Sequence, residues 1–187
     1  MTADDESNWA RARDGDGEAF GLIFDRHRSR IRRHAHALVP TPADADDVVA
    51  TTFLVAWRRR ESIRFVNGSM LPWLLRTATN AAHNVTRSTR RYRAVLSRLA
   101  VDETTPDHAD DFADTPALEL LMQLSLVHRQ VITLCVLEGL SIEEAALVLD
   151  VRNGTVRSRL SRAKACLREQ LTNPTALHRL EGATDEL

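Results

Sequence analysis

Ser141 to Leu167 reads SIEEAALVLDVRNGTVRSRLSRAKACL, and this stretch decides the fold. Ser141 followed three residues later by Glu144 is a capping box, in which the serine side chain accepts from the first turn and the glutamate reaches back. Ile142, Ala145, Ala146 and Leu149 then fall on one side of a short helix, and the two alanines let a neighbour approach closely. Asp150 and Val151 make a turn, and Asn153, Gly154 and Thr155 suit the start of a second helix running to about Leu171. At about 100° per residue, Val156, Leu160, Ala163 and Leu167 gather on one stripe, while Arg157, Ser158, Ser161 and Arg162 occupy the opposite side. A capped short helix, a tight turn and a helix with a purely basic outer face make a helix-turn-helix. Its second helix suits the major groove, where arginine grips guanine edges and the helix N-terminus meets phosphate.

Working outward, apolar residues keep recurring at three- and four-residue intervals, and long alternating patterns are missing, so the fold class expected is all-α. Thr115 and Pro116 start a helix carrying Leu118, Leu121 and Leu124. Ser125 is placed to cap the next, whose run Val131, Ile132, Leu134, Val136 and Leu137 ends at Gly139. Toward the N-terminus, Glu18 to Leu38 sets Phe20, Ile23, Phe24, Ile31 and Ala35 on a helical face. Pro40 and Pro42 break the chain, and Thr41 with Asp44 signals a helix to about Arg60 whose buried stripe is Val48, Val49, Thr52, Phe53 and Ala56. Asn67, Gly68 and Ser69 form a turn cluster. Pro72 suits the first turn of a helix with Trp73, Leu74, Thr77, Ala78 and Ala81, continuing toward Leu99. Residues 10–99 are expected as one small domain, 100–115 as a flexible acidic linker, 116–172 as a second domain and 173–187 as a tail.

The 187 residues carry 25 Lys+Arg and 26 Asp+Glu, a formal charge of −1. That balance argues against a nucleic-acid partner until it is resolved by segment. Trp57 to Arg98 holds ten arginines and one acid, Glu61, a net of +9. Arg152 to Arg168 holds five arginines and Lys164 without an acid, a net of +6, while Asp102 to Glu119 carries seven acids and no Lys or Arg. Two basic faces joined by an acidic tether are a nucleic-acid pattern. No apolar run approaches the roughly 18 residues of a membrane span, so no membrane insertion is expected. Asp4, Asp5 and Glu6 stand where a secretory signal would be basic, so a cytoplasmic protein is expected. Cys135 and Cys166 lack metal or disulfide spacing and are expected to be reduced thiols buried on helices. His34 and His36, two apart, point to different helical faces. With no nucleophile and base pair, phosphate loop or metal motif, no catalytic residue, metal or cofactor is expected, and the protein is not expected to be an enzyme.

The longer segment Val136 to Leu167, with its EGLS start and GTV-R-SRL-RA core, resembles region 4.2 of bacterial RNA polymerase sigma factors of the extracytoplasmic-function (ECF) type in the sigma-70 family. Asp44 to Trp57, DADDVVATTFLVAW, is similar to region 2.2 of that family, and Leu71 to Asn80, LPWLLRTATN, resembles the start of its region 2.4. The resemblance implies a non-enzymatic transcription initiation factor that binds core RNA polymerase through its β′ and β subunits and directs it to promoter DNA. It further implies an anti-sigma partner that clamps both units. Carried over by position, Asp46, Asp47, Val49, Phe53 and Trp57 match the helix that docks on a β′ coiled coil. Arg60, Arg64, Asn67, Ser69, Trp73, Arg76, Asn80, Asn84, Arg87, Arg90 and Arg91 match the part that melts and holds the minus-ten element, with Asn67, Ser69 and Asn80 the polar candidates for an extruded base. Trp73 stands open between core residue and stacking platform. Arg152, Asn153, Thr155, Arg157, Ser158, Arg159, Ser161 and Arg162 match positions facing the minus-thirty-five element.

The chain departs from the family pattern at Ala50 and Thr51, where Gln-Glu is usual in the docking helix, at Asp150 in place of the turn glycine, and at Leu124-Ser125-Leu126 in place of Leu-Pro-Pro. Asp tolerates the left-handed conformation, and Ser125 is still expected to cap. The alternative function is an autonomous helix-turn-helix regulator that does not use polymerase. The acidic linker has two readings as well, a thread through a basic polymerase channel or a shield for the basic faces. Replacing Asp107, Asp110, Asp111 and Asp114 by Asn separates them in run-off transcription and filter binding: unchanged transcription with tighter nonspecific DNA binding leaves only the shield.

Overall fold

Helix starts dictate the layout of the first unit. Asp16, beside Gly15 at a φ of 98°, caps the second helix by accepting from the Ala19 amide at 3.0 Å. That bond and the Arg11 guanidinium hold its carboxyl below the usual carboxylate range. Thr41 caps the third helix by accepting from the Asp44 amide at 3.1 Å, with Pro42 at the first helical position. A computed structural model describes residues 5–99 and 116–172, with side chains from 5–88 and 117–172. The helices are α1 (Asp5–Arg13), α2 (Gly17–His36), α3 (Pro42–Arg58), α4 (Leu71–Leu99), α5 (Pro116–Gln123), α6 (Leu126–Ile132), α7 (Ile142–Leu149) and α8 (Asn153–Thr172). A 3₁₀ turn covers Arg60–Ser62 and a π turn Thr133–Leu137. No strand occurs among the described residues, and the all-α expectation is met. The expected linker 100–115 and tail 173–187, and the side chains of Arg90 and Arg91, lie outside the described residues.

The chain parts into two compact units between α4 and α5. In the first, α2, α3 and α4 bury Ile23, Ile31 and Ala35, Val48, Phe53 and Ala56, and Leu74, Leu75, Ala78 and Ala82 against one another. Phe20 and Phe24 on α2 meet Trp57 and Phe53 on α3 edge-on, with ring centroids 5.4 and 4.7 Å apart. In the second unit α6 lies along α8, and Val131, Ile132 and Leu134 are buried with Val156 and Ala163.

Several expectations are corrected. α1 was not foreseen, because DESNWARAR has almost no apolar stripe; two of its four buried residues, Asp5 and Asn8, are polar. α3 stops at Arg58 and tightens into the 3₁₀ turn. Ser125 sits at the N-cap of α6, but its side chain makes no cap bond; only its carbonyl accepts, from His128 and Arg129. The run after Val131 widens into the π turn, which leaves Val136 and Leu137 exposed. Cys135 and Cys166 are half-buried rather than buried.

His34, 0% exposed, sits in the core between α2 and α4. Thr79 donates its only hydroxyl proton to the Leu75 carbonyl at 2.8 Å, so the 2.9 Å contact with His34 is donation from the ring Nε2. Nδ1 is then a bare acceptor, buried without a partner. Burial alone pushes the His34 pKa down to about 3. Between that value and about 6.5 the unfolded chain takes up a proton that the folded one refuses, so stability is full above about pH 6.5 and declines as pH falls. Going from pH 7.5 to 5.5 is expected to cost about 1 kcal/mol through this residue. Urea melts of His34→Asn should show a correspondingly flatter pH dependence than the parent.

Candidate nucleic-acid interface

α4 has one face for the core and another for solvent. At about 100° per residue, Trp73, Arg76, Asn80, Asn84 and Arg87 fall within about 80° of each other. Arg76, Asn80, Asn84 and Arg87 are exposed and Trp73 is half-buried. An indole with one side in the core and one side open can be both packing residue and platform. No Asp or Glu occurs anywhere in α4.

The segment before α4 carries the remaining candidates. Val66 and Ser69 exchange backbone hydrogen bonds at 2.9 and 3.0 Å, pinching a two-residue turn of Asn67 and Gly68 with φ of 53° and 73°. Positive φ at both central positions is the reason for an Asn-Gly pair. Asn67 stands exposed at the tip, and Arg64 is exposed beside it. Two candidates are committed to the protein instead. The Ser69 hydroxyl donates to Asp5 at 3.0 Å and accepts from the Leu71 amide at 3.2 Å. The Arg60 guanidinium lies 5.1 Å over the Trp57 ring and donates to the Trp57 carbonyl.

On α3, Asp46 and Asp47 are exposed, Val49 is half-buried and Trp57 is 38% exposed, whereas Phe53 is 4% exposed and shapes the surface from beneath. Asp46 and Val49 line an open cleft of about 520 Å³ together with Phe24, Asp25, Arg28, Ser29 and Arg32 of α2. Arg32 bonds Asp46 at 2.9 Å across it. The α2 side of this cleft, and the exposed Leu22 and Leu54, were missed in the sequence, because the wall exists only once the two helices pack. Ala50 and Thr51 are both exposed on α3.

In the second unit the capping box forms in full: the Ser141 hydroxyl accepts from the Glu144 amide at 3.1 Å, and Glu144 accepts from the Ser141 amide at 2.9 Å. Asp150 takes the left-handed conformation, φ 55° and ψ 48°, and its amide and that of Val151 both donate to the Ala146 carbonyl. Ala145, Ala146 and Val148 are buried, while Ile142 and Leu149 are half-buried. On α8, Val156 and Ala163 are fully buried. Arg152, Asn153, Arg157, Ser158, Ser161 and Arg162 are exposed, with Thr155 and Arg159 half-buried at the edge. Ser158 donates to the Thr155 carbonyl at 3.0 Å, leaving its lone pairs to accept from outside.

The family model for Sigma-70 region 2 matches residues 23–92, and that for Sigma-70, region 4 matches residues 116–167. The chain is 34% identical over 165 residues to RNA polymerase sigma factor CarQ of Myxococcus xanthus, covering 86% of this chain and 94% of that protein. It is 33% identical over 151 residues to ECF RNA polymerase sigma factor SigL of Mycobacterium tuberculosis, covering 78% and 85%. Its fold is similar to sigma factor RpoE, solved in complex with the anti-sigma factor NepR from Bartonella quintana, with a TM-score of 0.61, 27% identity and coverage of 84% and 96%. The chain belongs to the sigma-70 family of RNA polymerase sigma factors, ECF type.

This sigma factor is a promoter-specific initiation factor that binds core RNA polymerase. No described helix is long and apolar enough to cross a membrane. The Ser141 side chain caps the first helix of the helix-turn-helix, so Ser141→Ala is expected to cost about 1 kcal/mol, the usual worth of an N-cap. Urea unfolding followed by helical circular dichroism checks this.

Proposed function

We propose that the two units divide promoter recognition. The unit of α1–α4 docks on core polymerase through the cleft between α2 and α3 and its rim, Asp46, Asp47, Val49 and Trp57. It holds the melted minus-ten strand along Arg64, Asn67, Trp73, Arg76, Asn80, Asn84 and Arg87. The unit of α5–α8 lays the N-terminal half of α8 in the major groove of the minus-thirty-five element. The domains of this proposal are 10–99, together with the start of α1 that precedes it, and 116–172, with 100–115 as tether and 173–187 as tail. The protein works in the cytoplasm, where polymerase and chromosome are, and performs no chemistry itself.

The observation that carries this reading is the acid-free stripe on α4, preceded along the chain by an exposed asparagine at a turn tip. Phosphate neutralisation, a half-open indole and amide side chains are what an unstacked strand needs. An autonomous regulator of duplex DNA would have no use for this stripe. By analogy with the RpoE relative, a protein antagonist is proposed to cover exposed apolar side chains such as Leu22, Leu54, Val136 and Leu137.

Run-off transcription with core polymerase over a promoter library tests the reading. Templates carrying both elements should be transcribed, and loss of polymerase binding with retained specific duplex binding would overturn it. On duplex minus-thirty-five DNA, Arg157→Ala and Arg162→Ala should each cost about 1–3 kcal/mol where they grip a base edge, and relax specificity there. Arg152→Ala, at the helix start, should weaken all sequences alike and reduce the salt slope by about 1.

A further inference from the structure

The segment between α3 and α4, residues 59–70, carries the exposed Arg64 and Asn67, yet has little structure of its own. Beyond the 3₁₀ turn and one isolated bridge, it is irregular backbone, and an irregular segment keeps one geometry only if something outside it supplies the bonds. Here that support is α1. Asp5, Trp9 and Arg13 are spaced four apart, so they lie along one side of that helix. Each reaches a different point of the segment. The Trp9 indole N–H donates to the Arg60 carbonyl at 3.0 Å. The Arg13 guanidinium pairs with the Glu61 carboxylate. Asp5, 2% exposed, accepts at Oδ2 from the Ser69 hydroxyl at 3.0 Å and from the Met70 amide at 2.9 Å.

Asp5 is tied down from the other side as well. Arg26 donates to Oδ1 at 2.6 Å and His27 Nε2 to Oδ2 at 2.7 Å, both from α2. One carboxylate therefore joins the packed helices to the base of the turn. A buried anion beneath a nucleic-acid face is otherwise a liability, since it repels phosphate and costs desolvation; four donors remove both objections. Burial acts to raise its pKa, but the bonds from His27, Met70 and Arg26 outweigh it and hold the carboxyl well below the usual range. Ser69, whose hydroxyl is spent on Asp5 and the Leu71 amide, belongs to this joint. The family match for region 2 begins at residue 23, so α1 lies outside it.

We propose that α1 is a brace that positions the base-capturing turn, with Asp5 as a positioning residue for minus-ten specificity through Ser69 and Met70, and Trp9 and Arg13 holding the far end of the segment. This rests on the turn's proposed contact with an extruded base. The consequence is selective: releasing the brace lets the Asn67 tip wander while the α4 stripe, set by core packing, stays in place. Readout should therefore degrade at the base read by the turn and persist at those read by α4.

The test is selection of transcribed templates from a promoter pool randomised across the minus-ten element, using holoenzyme made with the full-length chain. The forms compared are wild type, Asn67→Ala, Asp5→Asn, Trp9→Phe and Arg13→Gln. Wild type is expected to enrich a motif, and Asn67→Ala to flatten it at the position the turn reads. Asp5→Asn and the Trp9→Phe/Arg13→Gln pair should flatten that same position by about tenfold, the scale of one base contact, with preferences elsewhere and polymerase affinity unchanged. A merely stabilising role would lower the melting temperature and total yield and leave the profile intact, and that result overturns the brace. If Asp5→Asn does not fold, the Trp9→Phe/Arg13→Gln pair decides by the same criterion. An Asn67→Ala profile identical to wild type overturns instead the reading of the turn as base-capturing, whatever the brace variants do.

Discussion

Mutual burial of the apolar stripes of α2, α3 and α4 is the constraint on which the first unit depends. A helix in a unit this small has a core for one face only, so the other face of α4 must meet solvent or a partner. Leu74, Leu75, Ala78 and Ala82 hold the rotation of α4 through their burial, and that rotation decides that Arg76, Asn80, Asn84 and Arg87 emerge together. Polar bonding inside the core refines the same geometry. His34 donates to Thr79, and burial favours the neutral ring. The proposed recognition surface is the reverse side of the packing surface.

Electrostatics follow the same division. The overall charge is close to zero, yet the acids are kept off α4 altogether and off α8 until Glu169, near its C-terminus. Where an acid is needed inside the first unit, it is enclosed. Asp5 has the Arg26 guanidinium and the His27 ring as donors on one side and backbone and hydroxyl donors on the other. Asp46, at the surface of α3, is shared with Arg32 in a cleft of mixed sign, which suits a protein partner rather than a phosphate backbone.

The second unit was legible almost throughout, because its determinants are local. The Ser141–Glu144 box and the left-handed Asp150 involve residues within four or five positions of each other, and both are seen. Of the α8 stripe read from a period of 3.6, Val156 and Ala163 are fully buried and Leu160 and Leu167 half-buried. Ser125 shows the limit of that logic. A good capping residue stood at the right place, but its side chain makes no cap bond. The widening of α6 into a π turn left no mark in the apolar spacing.

By itself the sequence determined the helices with strong periodicity, the caps at Thr41 and Ser141, the Asn-Gly turn, and the segregation of basic from acidic segments, since all of these are set by neighbours along the chain. Tertiary structure alone decided which side chains are available. It drew Arg60 onto Trp57, enlisted Ser69 for Asp5, and built the cleft between α2 and α3. It also made a helix of Asp5–Arg13, whose polar residues have no periodic signal because their partners, Arg26, His27, Arg60, Glu61, Ser69 and Met70, lie between 21 and 65 positions away. A hydrogen bond across such a distance stabilises a helix only after the chain has folded back on itself, and no window along the sequence contains both ends of it.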